Sequence, residues 1–395
     1  MTETSAENIA NRRGFVFFVI SLIVYAGVCG YLYYNQLLNP VTGMFEADTP
    51  VHVSMAVDDG FYYSLLSYVY VLCSKVSFGN ILIASMLALF TTGAVYITYM
   101  LLDKATLLAG FGLNDGLLFV SAYLLNFVMA FYVSAVNPQH YIGYQSANMW
   151  HNSTYIGMRF FAIAVLCVYA DIYREENARV KDLVAFAVLF AVYTLIKPSF
   201  TIVFGPVFVA ELLYDFFAKK HKFTHVLFKG LAAVPALISM FVVSSVMFGG
   251  ETGNGYAIRP FYELSRRGTH PKVTLVLSIL FPLAVFMIHI KDFYKDRIYS
   301  FSLLMWLVGF LEVFLMAETG DRSGDGNFFW GYSIALLVAF AGALYMIFKD
   351  LFANAMMPGK VAIAVRALLL GIFAWHAIGG IWYFTLLLTG VTYFV

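Results

Sequence analysis

The chain has 395 residues, 61% of them hydrophobic and only 12% charged, with 24 Lys and Arg against 23 Asp and Glu for a formal net charge of +1. A soluble domain carries about 25% charged residues, so this composition excludes a water-soluble globule and implies an all-α, polytopic transmembrane helical bundle. No basic face or tail is available to neutralise phosphates, which sets nucleic acid aside as a partner.

Crossing the hydrocarbon core takes about 20 apolar residues. About eleven such runs follow one another, at 14–34, 80–102, 117–137, 156–173, 182–196, 199–217, 226–248, 273–290, 298–317, 331–348 and 361–383. The first reads as a signal anchor, because no small-residue cleavage site follows it. Lys197-Pro198 marks a break: the proline ends one helix and suits the first turn of the next. The Lys/Arg clusters Arg12-Arg13, Arg174 to Lys181, Lys219 to Lys222, Lys291 to Arg297 and Lys349 to Lys360 share one side if the N-terminus is cytoplasmic. The predicted topology is therefore N-in and C-out. Cys29, Cys73 and Cys167 lie in apolar runs without CxxC spacing and read as small buried hydrophobes.

The polar chemistry falls on the outer loops. Between Tyr34 and Cys73 stand four carboxylates, Glu46, Asp48, Asp58 and Asp59, with His52 and no Lys or Arg. Asp48 before Thr49-Pro50 has the pattern of a helix N-cap; it also shares a helical face with His52 and suits a general base that His52 orients. Asp58-Asp59-Gly60 reads equally as a turn or a substrate contact, and residues 61–70 suit an interfacial helix. The second loop, 137–155, offers His140, Trp150, His151 and Asn152. Aromatic faces with amide donors suit a sugar-binding surface, and an interfacial aromatic belt explains the same residues. Asn152-Ser153-Thr154 also fits a glycosylation sequon.

Arg159, Lys197, Arg259, Arg266, Arg267 and Arg322 fall on the outer side, where basic residues are not favoured, and suit a lipid phosphate or diphosphate; snorkelling to lipid headgroups explains them equally. The Gly-rich loop from Glu318 to Tyr332, with Asn327, suits a segment closing over substrate; the EF-hand pattern is not met there. Within the membrane the ionisable residues of note are His289, Arg366 and His376.

On Glu46, Asp48, the helix-like 50–72 segment, Trp150-His-Asn-Ser-Thr-Tyr155 and Lys197-Pro-Ser-Phe200, the chain resembles the GT-C superfamily of membrane glycosyltransferases, of the bacterial envelope-polysaccharide type. The resemblance covers about residues 10–248, and it implies a catalytic module over 1–248 with 249–395 as further spans carrying outer substrate loops. It implies a multi-pass protein of the bacterial plasma membrane, among membrane lipids, with its active site on the outer face. A polyprenyl-phosphate sugar would be the donor and a glycan or lipid-linked molecule the acceptor. Ala47 separates Glu46 from Asp48 where many members have a tighter acidic pair, which leaves a divalent cation, Mg2+ or Mn2+, undecided. On this reading Asp48 is the base, Arg159, Lys197 and Arg266 stabilise the leaving phosphate, and His52, Trp150 and His151 position sugar and acceptor. The alternatives are an O-antigen or capsule-type polymerase using lipid diphosphate oligosaccharides, a lipid or solute transporter, and an O-acyltransferase served by His376.

Overall fold

The computed structural model describes residues 3–39, 43–248, 255–268, 270–352 and 359–392. Apolar runs long enough to bury their backbone in lipid become helices, since only a helix satisfies every N–H and C=O within one segment. α1 (Glu3–Leu38) leads to two short helices, α2 (Thr49–Val57) and α3 (Leu65–Ser74), and then to α4 (Gly79–Leu108). The expected 50–72 helix is thus two pieces. Gly60, at φ +66°, and the Ser64 hydroxyl that caps α3 separate them.

α5 (Asp115–Leu125) is followed by α6 (Ser153–Arg174), α7 (Val180–Ile196), α8 (Ser199–Phe217), α9 (Phe223–Leu231) and α10 (Val234–Phe248). Strand β1 (Gly255–Ile258) and the single turn α11 (Tyr262–Ser265) precede α12 (Pro271–Ser278), α13 (Leu280–Ile288) and α14 (Arg297–Leu315). Strand β2 (Met316–Thr319) and a 3-10 turn, Gly320–Gly324, lead into α15 (Phe328–Phe352) and α16 (Lys360–Leu388).

Among the described residues eight helical segments are long and apolar enough to cross a membrane: Gly14–Leu38, Gly79–Leu108, Ser153–Tyr173, Ser199–Phe217, Phe223–Met247, Arg297–Leu315, Phe328–Phe352 and Lys360–Leu388. The α12–α13 pair makes a ninth if its 65° bend is counted as one broken span. Two of the eleven predicted runs come out shorter. Residues 182–196 lie in the 17-residue α7, and 117–137 stops as a helix at Leu125.

The physical reason for the second departure is visible. Beyond Leu125 the chain leaves helix, and residues 126–130 stay buried or half-buried, their polar backbone satisfied by other elements. Asn148 Nδ2 donates to the carbonyls of Leu125 and Val128, Met129 N–H to His376, and Phe131 N–H to Leu277. Irregular backbone at membrane depth is tolerated when it is enclosed by protein in this way. A side chain at Gly380 would collide with the Phe127 carbonyl, so glycine is what lets α16 pass this segment. His376 is engaged here, through the Met129 carbonyl, and is fully buried.

α15 runs through the centre of the bundle, packed against α14, α8 and α13. β1 and β2 form an antiparallel ribbon that pairs Tyr256 with Glu318. It ties the loop after α10 to the end of α14.

Candidate active site

A cavity of about 550 Å3 opens where α2, the 141–152 loop, the start of α8, the end of α14 and the β-ribbon meet. Lys197 and Pro198 place one wall. Lys197 ends α7 in an extended conformation and Pro198 opens α8, so the expected break at this dipeptide holds. Gly331 lies so close to the Ser199 carbonyl that any side chain there would clash, which brings Trp330 to the cavity beside Lys197. The Lys197 ammonium sits 4.7 Å from the Trp330 ring centre.

Asp48 lies on the rim with its side chain 29% exposed. It precedes α2, yet its carboxylate makes no capping bond to that helix. The carboxylate turns outward, and Oδ2 accepts a 2.7 Å hydrogen bond from Asn152 Nδ2. The orientation of that amide is set from behind: Asn152 Oδ1 caps α6, accepting from Tyr155 N–H at 2.9 Å and from Thr154 Oγ1 at 2.8 Å. Lys197 Nζ donates to Thr154 Oγ1 at 3.1 Å. A continuous chain of donors thus runs from Lys197 through Thr154 and Asn152 to Asp48. The backbone joins the same pieces, since Asp48 N–H donates to the His151 carbonyl at 3.0 Å.

Two imidazoles flank the carboxylate. His151 Nε2 is 4.0 Å from Asp48 Oδ2, and its ring is fully enclosed, with Tyr141 edge-on at 4.8 Å. Burial pushes the His151 pKa down to about 4, overriding the opposite pull of Asp48. His52 Nδ1 lies 3.1 Å from Ser153 Oγ. Burial, and then the Lys197 ammonium, push its pKa down too. Both rings are neutral at pH 7 and serve as hydrogen-bonding groups, not as phosphate-binding cations.

The far wall is acidic. Glu318 takes two hydrogen bonds from Asn327, from the backbone N–H at 3.1 Å and from Nδ2 at 2.9 Å. Arg266 and Arg267 donate to the carbonyls of Ser323 and Gly324, which joins the 318–327 loop to the segment between α11 and α12. Glu312, on α14, and Asp325 complete the acidic wall. Arg267 lines the cavity as well, and Tyr63, Tyr141, Tyr256 and Trp330 supply aromatic faces.

The cavity therefore gathers Asp48, His52, His151, Asn152, Lys197, Arg267 and Asn327 from the residues named by sequence. Others stand elsewhere. Glu46 is half-buried and does not line the cavity. Asp58 accepts from Ser54 Oγ at the exposed end of α2, with Asp59 beside it in solvent. His140 stacks on Tyr132 at 3.9 Å. Trp150 is fully buried and packs against Phe127 and Phe384, so it cannot stack on a ligand in the cavity. Arg159 is buried in the bundle, bonded to Asn126 Oδ1, and is no part of the cavity wall. Arg259 and Arg266 lie over the Tyr262 ring outside the cavity. The side chain of Arg322 is outside the described residues. The sequon asparagine is 3% exposed and fully engaged, which makes it an unsuitable glycan acceptor.

Glu312 was missed. Its signal was present as an acidic residue inside the apolar run 298–317, since an ionisable group within a span points to function by default.

Among the described residues no three His, Cys, Asp or Glu side chains converge as a metal-holding set. The cavity's carboxylates are thus not gathered into an all-protein cage for Mg2+ or Mn2+, and no step below is routed through one. No protein-family model matches this chain, and no curated protein matches it.

Proposed function

We propose that this protein is a GT-C-type membrane glycosyltransferase that moves a sugar from a polyprenyl-phosphate donor to a hydroxyl of a glycan or lipid-linked acceptor. The observation that carries the reading is Asp48: a part-exposed carboxylate on the rim of a cavity, turned from its own helix and held by Asn152. In the reaction, Asp48 takes the proton of the acceptor hydroxyl as its oxygen attacks the anomeric carbon. The bond from that carbon to the phosphate oxygen breaks, and polyprenyl phosphate leaves with the electron pair. Attack opposite to departure inverts the configuration. Lys197 and Arg267 are the cavity's cations for the leaving phosphate, in place of Arg159 and Arg266. Neutral His52 and His151 bond sugar or acceptor hydroxyls, and Trp330, Tyr141 and Tyr63 offer faces for the ring.

Charge distribution supports a site on the outer face of the membrane; that this is a bacterial plasma membrane follows from the glycosyltransferase reading alone. Lys219, Lys229, Arg297 and Lys349 gather at the end of the bundle away from the cavity, as cytoplasmic loops do. Of the three arginines between β1 and α12 only Arg267 reaches the cavity, which weighs against a polymerase built on an arginine-rich loop. One observation favours a second reading: a transporter places polar groups inside spans, and Glu312 is one.

The test is turnover and binding with a panel of polyprenyl-phosphate and polyprenyl-diphosphate sugars, wild type against Asp48→Asn. Polyprenyl phosphate released by wild type alone supports the reading. Turnover confined to diphosphate-linked oligosaccharides makes the protein a polymerase. Binding of no lipid-linked sugar overturns the reading in favour of transport.

A further inference from the structure

Glu312 lies one turn before the end of α14, 7% exposed, on the cavity wall. Neither of its carboxyl oxygens has a hydrogen-bond partner among the described residues, and both are covered, so a ligand in the cavity meets them only once the side chain turns. The other strongly buried acids around it each have a partner, although Glu263, on α11, keeps one oxygen unbonded and meets Arg267 at 3.7 Å through the other. Glu211 is bonded to Arg297, Asp215 to Lys229, and Glu318 to Asn327. A buried polar group left without a partner opposes folding, and the neighbours of Glu312 on α14 are apolar residues that pack without it. The position therefore does not serve the fold. Local rules broken without structural compensation mark functional positions.

The cavity's own composition says what is missing. Its acidic groups are Asp48, Glu312, Glu318 and Asp325, against two permanently cationic side chains, Lys197 and Arg267. Asp48 and Glu318 already accept from the amides of Asn152 and Asn327. Glu312 is the acceptor still to be satisfied, and a ligand that satisfies it brings N–H or O–H donors. A leaving phosphate does not; a sugar ring does.

We propose that Glu312 binds the glycosyl unit of the substrate through the ring's hydrogen-bond donors, amino or hydroxyl. This rests on the glycosyl-transfer reading and assigns the sugar, not the phosphate, to the α14 wall. A site that hydrogen-bonds a donor on its substrate discriminates strongly against analogues lacking it.

The experiment compares wild type, Glu312→Leu and Glu312→Gln in lipid nanodiscs, with Asp58→Asn as a control outside the cavity. The thermal midpoint is measured without substrate. Kd, KM and kcat are measured with polyprenyl-phosphate hexose, its amino-hexose counterpart and its deoxy analogues. Glu312→Leu is expected to keep or raise the midpoint, because an unsatisfied carboxyl is removed, while Kd and KM rise about tenfold or more and kcat changes less. A larger loss with the amino sugar assigns an ammonium group to Glu312; equal losses assign hydroxyls. A lowered midpoint with unchanged Kd would make the residue structural and overturn the proposal. So would wild-type affinity in both variants, with the glycosyltransferase reading left standing. Wild type that binds none of the panel removes that reading, and this proposal with it.

Discussion

The two ends of the bundle handle buried carboxylates in opposite ways. At the end away from the cavity, Asp215 meets Lys229 at 3.1 Å, Arg297 at 3.1 Å and Lys219 at 3.3 Å. Arg297 also binds Glu211, Lys349 binds Asp296 at 2.6 Å, and His289 bridges Asp292 and Asp350. Each of these acids has a charged or ionisable partner. At the cavity end, about 24 Å along α8 from Ser199 to Asp215, Asp48 has an amide and a neutral imidazole, and Glu312 has neither bond nor ion pair among the described residues. One end locks α8, α9 and α14 together. The other pairs Glu263 with Arg267 and Glu318 with Asn327, but leaves Asp48 and Glu312 without a permanently cationic partner among the described residues. Substitutions at the two ends should accordingly separate stability from activity.

The sharpest break of the contrast is Asp48→Asn. Loss of a general base costs about 10²- to 10⁴-fold in rate, so kcat with the lipid-phosphate donor should fall about a thousandfold. The thermal midpoint should hardly move, because the side chain caps nothing and is part exposed. A variant that unfolds as readily as it loses activity would place Asp48 with the structural carboxylates.

Arg297→Met is the converse. It strips Glu211 of its cation and leaves Asp215 with two of its three. Breaking one side of a buried pair costs about 3 kcal/mol or more, read as a lower unfolding midpoint in detergent or nanodiscs. Turnover below that midpoint should stay near wild type, since the change is a helix length from the cavity. Lost turnover without lost stability would mean that the ionic end acts on the chemistry.

The imidazoles give a subtler test. His151 is buried neutral with its pKa near 4, against about 6.5 unfolded. Above pH 6.5 both states are neutral and the residue makes no pH-dependent contribution. As pH falls from 6.5 towards 4, the unfolded chain takes up a proton that the folded one refuses, so stability falls, by up to about 3 kcal/mol. His151→Gln should make that stretch of a stability–pH profile shallower, with His52 still contributing its own share. An unchanged slope would mean that the ring is already charged when folded.

What the sequence made legible follows the same divide. The spans were readable because lipid permits so few backbone solutions, and Lys197-Pro198 announced its own break. Asp48, His151 and Asn152 could be named because uncompensated acids and amides in a loop stand out. Other features depended on partners far along the chain. Residues 117–137 are apolar enough to cross, and only Asn148, Leu277 and His376 show why the helix stops at Leu125. The β-ribbon pairs residues about 60 apart, one strand being cut from the end of an apolar run. Arg159 and Trp150 carried the right side chains for a site and spend them inside the bundle, on Asn126 and on Phe127 and Phe384. Residue type is local, whereas the direction in which a helix turns it is set by what packs behind.

The smallest expected effect asks whether Asn152 is a cap, a positioner, or both. Its Oδ1 caps α6 while its Nδ2 holds Asp48. Asn152→Ala removes both, and losing the cap alone costs about 1 kcal/mol. Asn152→Ser keeps an oxygen able to cap but lacks the amide that reaches Asp48. If the bond to Asp48 positions the base, both variants lose about tenfold in kcat and only the alanine loses stability. If the cap is the whole role, serine restores activity as well as the midpoint, and the donor chain from Lys197 to Asp48 is a feature of packing alone. The serine variant decides between them because it changes what Asp48 receives and leaves α6 its start.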